Sequence, residues 1–182
     1  MLVPASQFRP CGLVISPLSV EALGMQMNAL APTISSAVWP SANLACAYPV
    51  RIPEAIPVSD FFVFNGATIV GGESFDIALY DDAFARIANT GSTAQAGSAQ
   101  TLQIVGVTDF VIDAGRYYCA LSFNGVTATV NRAQSNARLF AGIGCWEQAT
   151  AFPLPATATP AVYATPPTFF PLFGFAQPGA LL

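Results

Sequence analysis

The clearest alternation of apolar and polar side chains lies between residues 74 and 131, and its period is two. In SFDIALY, residues 74–80, Phe75, Ile77 and Leu79 alternate with Asp76 and Ala78, which sends one set to each face of a β-strand. Gly71-Gly72 before it and Asp81-Asp82 after it are turn residues. Further on, RYYCALSF, then Asn124-Gly125, then VTATVNR read as two alternating strands. Asn-Gly supplies the positive φ angles of a two-residue type I′ turn, so the pattern predicts a hairpin. Its register would set Phe123 opposite Val126, Leu121 opposite Ala128 and Cys119 opposite Val130 on one apolar face. Ser122, Ala120 and Tyr118 would then face Thr127, Thr129 and Asn131 on the other, because a slip of one residue turns the apolar set outward.

Shorter apolar runs in FFVFNGATIV, FARIA, TLQIVGV and RLFAGIGCW are further strand candidates, although periodicity alone does not assign runs of that length. A helix is suggested only by SPLSVEALGMQMNAL, residues 16–30, where Gly24 interrupts the pattern. Short strands punctuated by turn residues predict an all-β fold, an antiparallel β-sandwich of jelly-roll type.

The placement of charge refines this reading. Apart from Arg9 and Glu21, every charged residue lies between Arg51 and Glu147. The chain is therefore expected to comprise an extended, apolar N-terminal arm over residues 1–47, a β-sandwich module over 48–147 and a Pro- and Phe-rich tail over 148–182. The tail's prolines oppose helix and central strand, yet its Phe169, Phe170, Leu172, Phe173 and Phe175 are costly to leave in water. Disorder goes with the reverse composition. The expectation is that these five side chains dock on a partner or a second copy, and that deleting residues 160–182 leaves the module folded but unable to join its assembly.

Hydrophobic types make up 53% of the 182 residues and charged types 9%, against about 25% charged in ordinary soluble domains. No run of roughly 20 apolar residues without breakers exists to span a membrane as a helix. The first residues lack a signal-like pattern, so no targeting segment is expected and synthesis in a cytoplasm is. Ten acids against six arginines, with no lysine and a net charge of −4, argue against nucleic acid as a partner. Cys11, Cys46, Cys119 and Cys145 form no CxxC pair, and without histidine they complete no zinc site. Buried free thiols are the expectation.

The absence of histidine and lysine removes Ser-His-Asp and Cys-His catalysis, the HExxH metal motif, Schiff-base chemistry and the Walker-type phosphate loop. Carboxylate pairs remain, as glycosidases need only two acids at a set separation. The candidates are Glu73 with Asp76, Asp81 with Asp82, and Asp109 with Asp113. All sit beside expected turns, where an acid more commonly caps backbone N–H groups, and no DxDxDG-like calcium spacing is present. The polar stretch NTGSTAQAGSAQ, residues 89–100, suits an exposed connector or a sugar contact. Trp39 and Trp146 with Tyr48, Tyr80 and Tyr118 would serve a glycan-stacking platform or, more commonly, a core. No catalytic residue, cofactor or metal is expected.

The run WPSANLACAYPVRIPEAIPVSDFFVFNGATIVGG, followed by FDIALYD, NTGSTAQAGS and AGRYYCALS, resembles a group of small phage-encoded β-sandwich proteins associated with virions. FPLPATATPA and PLFGFA resemble the ends of such proteins, and the resemblance covers roughly residues 39–175. Its motifs are structural and assign no binding residue. The resemblance implies a non-enzymatic virion protein: a capsid decoration or cement protein, or a head spike or fibre component. Its partners would be major capsid, portal or tail proteins, and it would form a homo-oligomer such as a trimer. The alternative is a tail or fibre adhesin that binds a host-surface glycan.

Overall fold

A computed structural model of the chain describes residues 14–15, 34–134, 144–161 and 169–181. The helix expected over residues 16–30, Cys11 and residues 138–143 of the RLFAGIGCW stretch lie outside the described residues. The strands are β1 (Val14–Ile15), β2 (Ile34–Val38), β3 (Ala45–Ile52), β4 (Ile56–Phe64), β5 (Ser74–Tyr80), β6 (Arg86–Asn89), β7 (Thr93–Ala94), β8 (Leu102–Ile112), β9 (Gly115–Phe123), β10 (Thr129–Gln134), β11 (Trp146–Gln148), β12 (Phe169–Pro171) and β13 (Phe173–Ala176).

Every pairing is antiparallel, and together the pairings make an all-β sandwich. One layer runs β11-β3-β9-β5-β6, with β7 added to β5. In the facing layer β10 pairs with β2, β4 pairs with β8, and an Asn65–Val130 bridge joins the end of β4 to β10. Apart from the added strands, the two layers read β3-β9-β5-β6 and β2-β10-β4-β8, the strand order of a jelly roll, in which almost every connection crosses from one layer to the other. The core lies between the layers. Tyr48, Val50 and Ile52 of β3, Phe75, Ile77 and Leu79 of β5, and Cys119, Leu121 and Phe123 of β9 meet Ile56, Val58, Phe61 and Val63 of β4. The apolar sets that alternation picked out on β5 and β9 thus face this core, while the opposite faces of both strands are buried too, beneath other parts of the chain.

The expected hairpin at Asn124-Gly125 is not formed. Phe123 lies opposite Phe75 and Val130 opposite Ala37, because β9 is already flanked on both sides by β3 and β5. The chain leaves that layer at Asn124 and enters the other. Neither Asn124 nor Gly125 has a positive φ. Glycine serves here for a different reason: a Cβ on residue 125 would clash with the Glu73 carboxyl group and force it to move. Local alternation reads the same on two strands of a hairpin and on two strands in different layers.

The expected boundaries of the module also shift. Residues 34–47 contribute β2 and the start of β3, and the C-terminal stretch supplies β12 on β10 and β13 on β4. Since β10 and β4 meet directly only at the Asn65–Val130 bridge, the tail fills the opening and completes both ladders. It is fastened at the step between strands, where Leu172 N–H donates to Asn131 O at 2.8 Å and Phe64 N–H donates to Leu172 O at 2.8 Å. The described part of the tail that forms β12 and β13 is therefore part of the sandwich.

Candidate functional site

Phe169, Phe170, Leu172, Phe173 and Phe175 were the sequence's docking candidates, and the structure turns Phe170, Phe173 and Phe175 inward. Phe170, Phe173 and Phe175 are 2%, 0% and 0% exposed, and Leu172 is half-buried. The Phe170 and Phe173 rings both pack on Tyr48, with centroids 5.4 and 5.7 Å away. Phe169 lies in β12 opposite Gln134. Phe170, Phe173 and Phe175 find their second wall in the chain's own core, so the expected partner contact does not use these three in this conformation.

The acid pairs are taken apart in the same way. The Glu73 carboxylate accepts the Ala128 N–H at 2.8 Å and the Thr127 N–H at 3.0 Å, capping the crossing from β9 to β10. Partial burial pushes its pKa up, but the hydrogen bonds from Ala128 and Thr127 outweigh it and leave the carboxyl below its ordinary value. Asp76, three residues on, serves the opposite side of the sheet. Asp81 closes its own turn, accepting from Ala83 and Ala85 N–H at 2.9 Å each. Asp82 is exposed and only 3.9 Å from Arg116, an ion pair of little energetic weight. Asp109 and Asp113 are exposed at the end of β8 and just beyond it.

Asp76 is the most constrained of these groups. On the outer face of β5, β9 and β3, Ala45, Ala47, Ala78 and Ala120 make a shallow floor, and Ala151, Leu154 and Ala158 cover it. Small side chains let the backbone of the covering segment come close. Leu154 N–H then reaches the Asp76 carboxylate at 2.9 Å, joined there by Asn89 Nδ2 at 3.1 Å and Thr90 Oγ1 at 3.2 Å. Arg86 donates to Leu154 O, and Tyr80 Oη donates to Pro155 O at 2.8 Å. Asp76 is fully buried. Burial pushes its pKa up, and the hydrogen bonds from Asn89, Leu154 and Thr90 only partly oppose that. The arrangement ties a loop to a sheet and presents no second carboxylate to a reacting atom.

The aromatic residues that would stack on a sugar are interior. Trp39, Tyr48 and Tyr80 are 1% exposed or less, and Trp146 and Tyr118 are 4% and 6% exposed. Trp146 forms edge contacts with Tyr80 and Phe84, at 5.9 Å between centroids in each case. Residues 89–100 are partly structural. Gln95, 1% exposed, reaches Asn65 Oδ1 and Thr129 O at 3.2 and 3.0 Å, so this stretch seals one end of the sandwich.

Among the described residues no three acids or cysteines gather as metal ligands, and no helix is long and apolar enough to cross a membrane. Cys46, Cys119 and Cys145 are buried, and burial pushes the Cys119 and Cys145 thiols far above their ordinary value.

What alternation left unmarked is the edge of the sheet. Most sandwich edges are short or covered. The Ala85–Thr157 bridge runs beside β6 and the Glu147–Ala161 bridge beside β11, while β1 and β2 have two and five residues. In contrast, β8 has 11 residues and among the described residues pairs with β4 alone. Ile104 and Val111 on it are 40% and 68% exposed. Compared with known protein families, curated proteins and solved structures, the chain matches none.

Proposed function

We propose that this chain is a non-enzymatic structural protein of a bacteriophage particle, a capsid decoration or cement protein or a component of a head spike, and that it works as a homo-oligomer among other virion proteins. The observation that carries this reading is the use made of the acids. Glu73, Asp76 and Asp81 each hold backbone N–H groups of the scaffold itself, so three of the chain's ten acids serve architecture. The jelly roll is compatible with this role, although a fold alone assigns no function. The motif resemblance over residues 39–175 supplies the phage context. Because Phe170, Phe173 and Phe175 belong to the core, the proposal places attachment to a particle on the outer surface of the sandwich and not on these three side chains.

The test is quantitative mass spectrometry of gradient-purified particles of the phage that encodes the chain. The reading expects the chain at a fixed stoichiometry to the major shell protein, retained through a salt wash. Abundance in infected cells with none in the particles overturns it.

A further inference from the structure

We infer that β8 is the site at which two copies of this chain join, edge to edge about a two-fold axis, into a continuous sheet. The inference deepens the homo-oligomer in the reading above by naming its surface, and its deciding tests, crosslinking and light scattering, use the purified chain without particles. An unpaired strand edge is a row of backbone donors and acceptors that invites another strand, and proteins usually blunt such edges with short strands, charged side chains, Pro, bulges or a cover. Among the described residues the other edges of this sandwich are short or covered, whereas β8 has 11 residues, of which 102–106 carry no charge, proline or bulge.

Charge placement selects a second copy as the occupant. Leu102, Gln103, Ile104, Val105 and Gly106 are uncharged, while Asp109 and Asp113 lie at and beyond the far end. The register with β4 shifts between Val58 and Asp60, so β8 bulges at residues 107–109 and its regular part is 102–106. Gln103 steadies that part, its side chain bonding Ala94 O and Ala96 N–H at 2.9 Å each. An axis through Ile104 sets Ile104 beside its copy, Gln103 opposite Val105 and Leu102 opposite Gly106. The two Asp109 carboxylates are then roughly 33 Å apart at about 3.3 Å per residue, beyond the screening length of about 10 Å at 0.1 M salt. Two identical strands thus meet without like charges in contact, and a like-to-like contact about a two-fold closes on itself.

Ile104→Cys and Val111→Cys variants of the full chain test the register. Both sites are exposed, and the described native thiols are buried. On mild oxidation Ile104→Cys is expected to give a covalent dimer in most of the protein. Val111→Cys, roughly 46 Å from its copy at about 3.3 Å per residue, is expected to give at least tenfold less. By light scattering the wild type should be a dimer and Ile104→Lys, with an unchanged circular dichroism spectrum, a monomer. A monomeric wild type overturns the proposal, as does equal crosslinking at the two positions. A wild-type monomer whose incorporation into particles is nonetheless lost in Ile104→Lys also overturns self-pairing, and assigns the edge to a strand of a different protein.

Discussion

Phe175 of β13 lies directly opposite Phe61 of β4, with ring centroids 6.2 Å apart and planes inclined by 61°. An edge contact of this kind between two fully buried rings joins the end of the described chain to a central strand. It makes the C-terminal segment a condition of folding rather than an addition to a finished module. Phe175→Ala is expected to cost about 3 to 5 kcal/mol, the range for emptying a buried aromatic site. Ending the chain at residue 160 should abolish the cooperative urea transition. A truncated protein with a wild-type transition would mean that β12 and β13 are dispensable.

The crossing after β9 depends on the contact between Gly125 and Glu73. A methyl group at residue 125 would occupy the place of the Glu73 carboxyl, so Gly125→Ala should displace Glu73 from the Thr127 and Ala128 N–H groups. A loss of about 1 to 3 kcal/mol is expected. Combined with Glu73→Ala, the two losses should fall well short of additive, since both remove the same cap. Additive losses in denaturant titrations would show that the contact is not shared.

Glu73 and Asp76 should affect the pH dependence of stability with opposite signs. The folded-state pKa of Glu73 lies below its ordinary 4.5, so its contribution is present above that value and lost as pH falls through the folded value. The folded-state pKa of Asp76 lies above its ordinary 3.8, so the folded protein holds that proton more tightly than the unfolded chain. Its contribution falls as pH rises through the folded value. In urea titrations between about pH 3 and about pH 7, Glu73→Gln should cost more at the neutral end and Asp76→Asn more at the acid end. Parallel profiles for the two variants would contradict the assigned environments.

Asp76→Asn should also weaken the cover formed by residues 151–158. The amide keeps one acceptor, but its NH2 group then meets donors from Asn89 or Leu154, a mismatch costing about 1 to 3 kcal/mol for buried groups. Hydrogen exchange should show faster exchange at Leu154 and Ala158, with little change at β3 or β9.

The thiols should be silent. With Cys119 fully buried and its pKa driven up by burial, a disulfide reagent at about pH 8 should modify it only when the protein unfolds, since thiolate is the reactive form. Rapid labelling of Cys119 in folded protein would place it near solvent.

The sequence by itself determined the fold class and much of the core. Period-two alternation marked Phe75, Ile77 and Leu79 on β5 and Cys119, Leu121 and Phe123 on β9 as one buried face, because a strand's geometry fixes which residues share a side. It also placed acids at turns, where Asp81 is indeed a cap. Only the tertiary structure decided which strands are neighbours. Asn124-Gly125 has the composition of a hairpin turn, yet in a jelly roll the flanking strands belong to different layers, and what calls for glycine is a carboxylate brought in from residue 73. The tail phenylalanines announced that they must be buried but not against what. The opening between β10 and β4 exists only once strands distant in sequence have paired, and no local pattern records a space that the assembled fold creates.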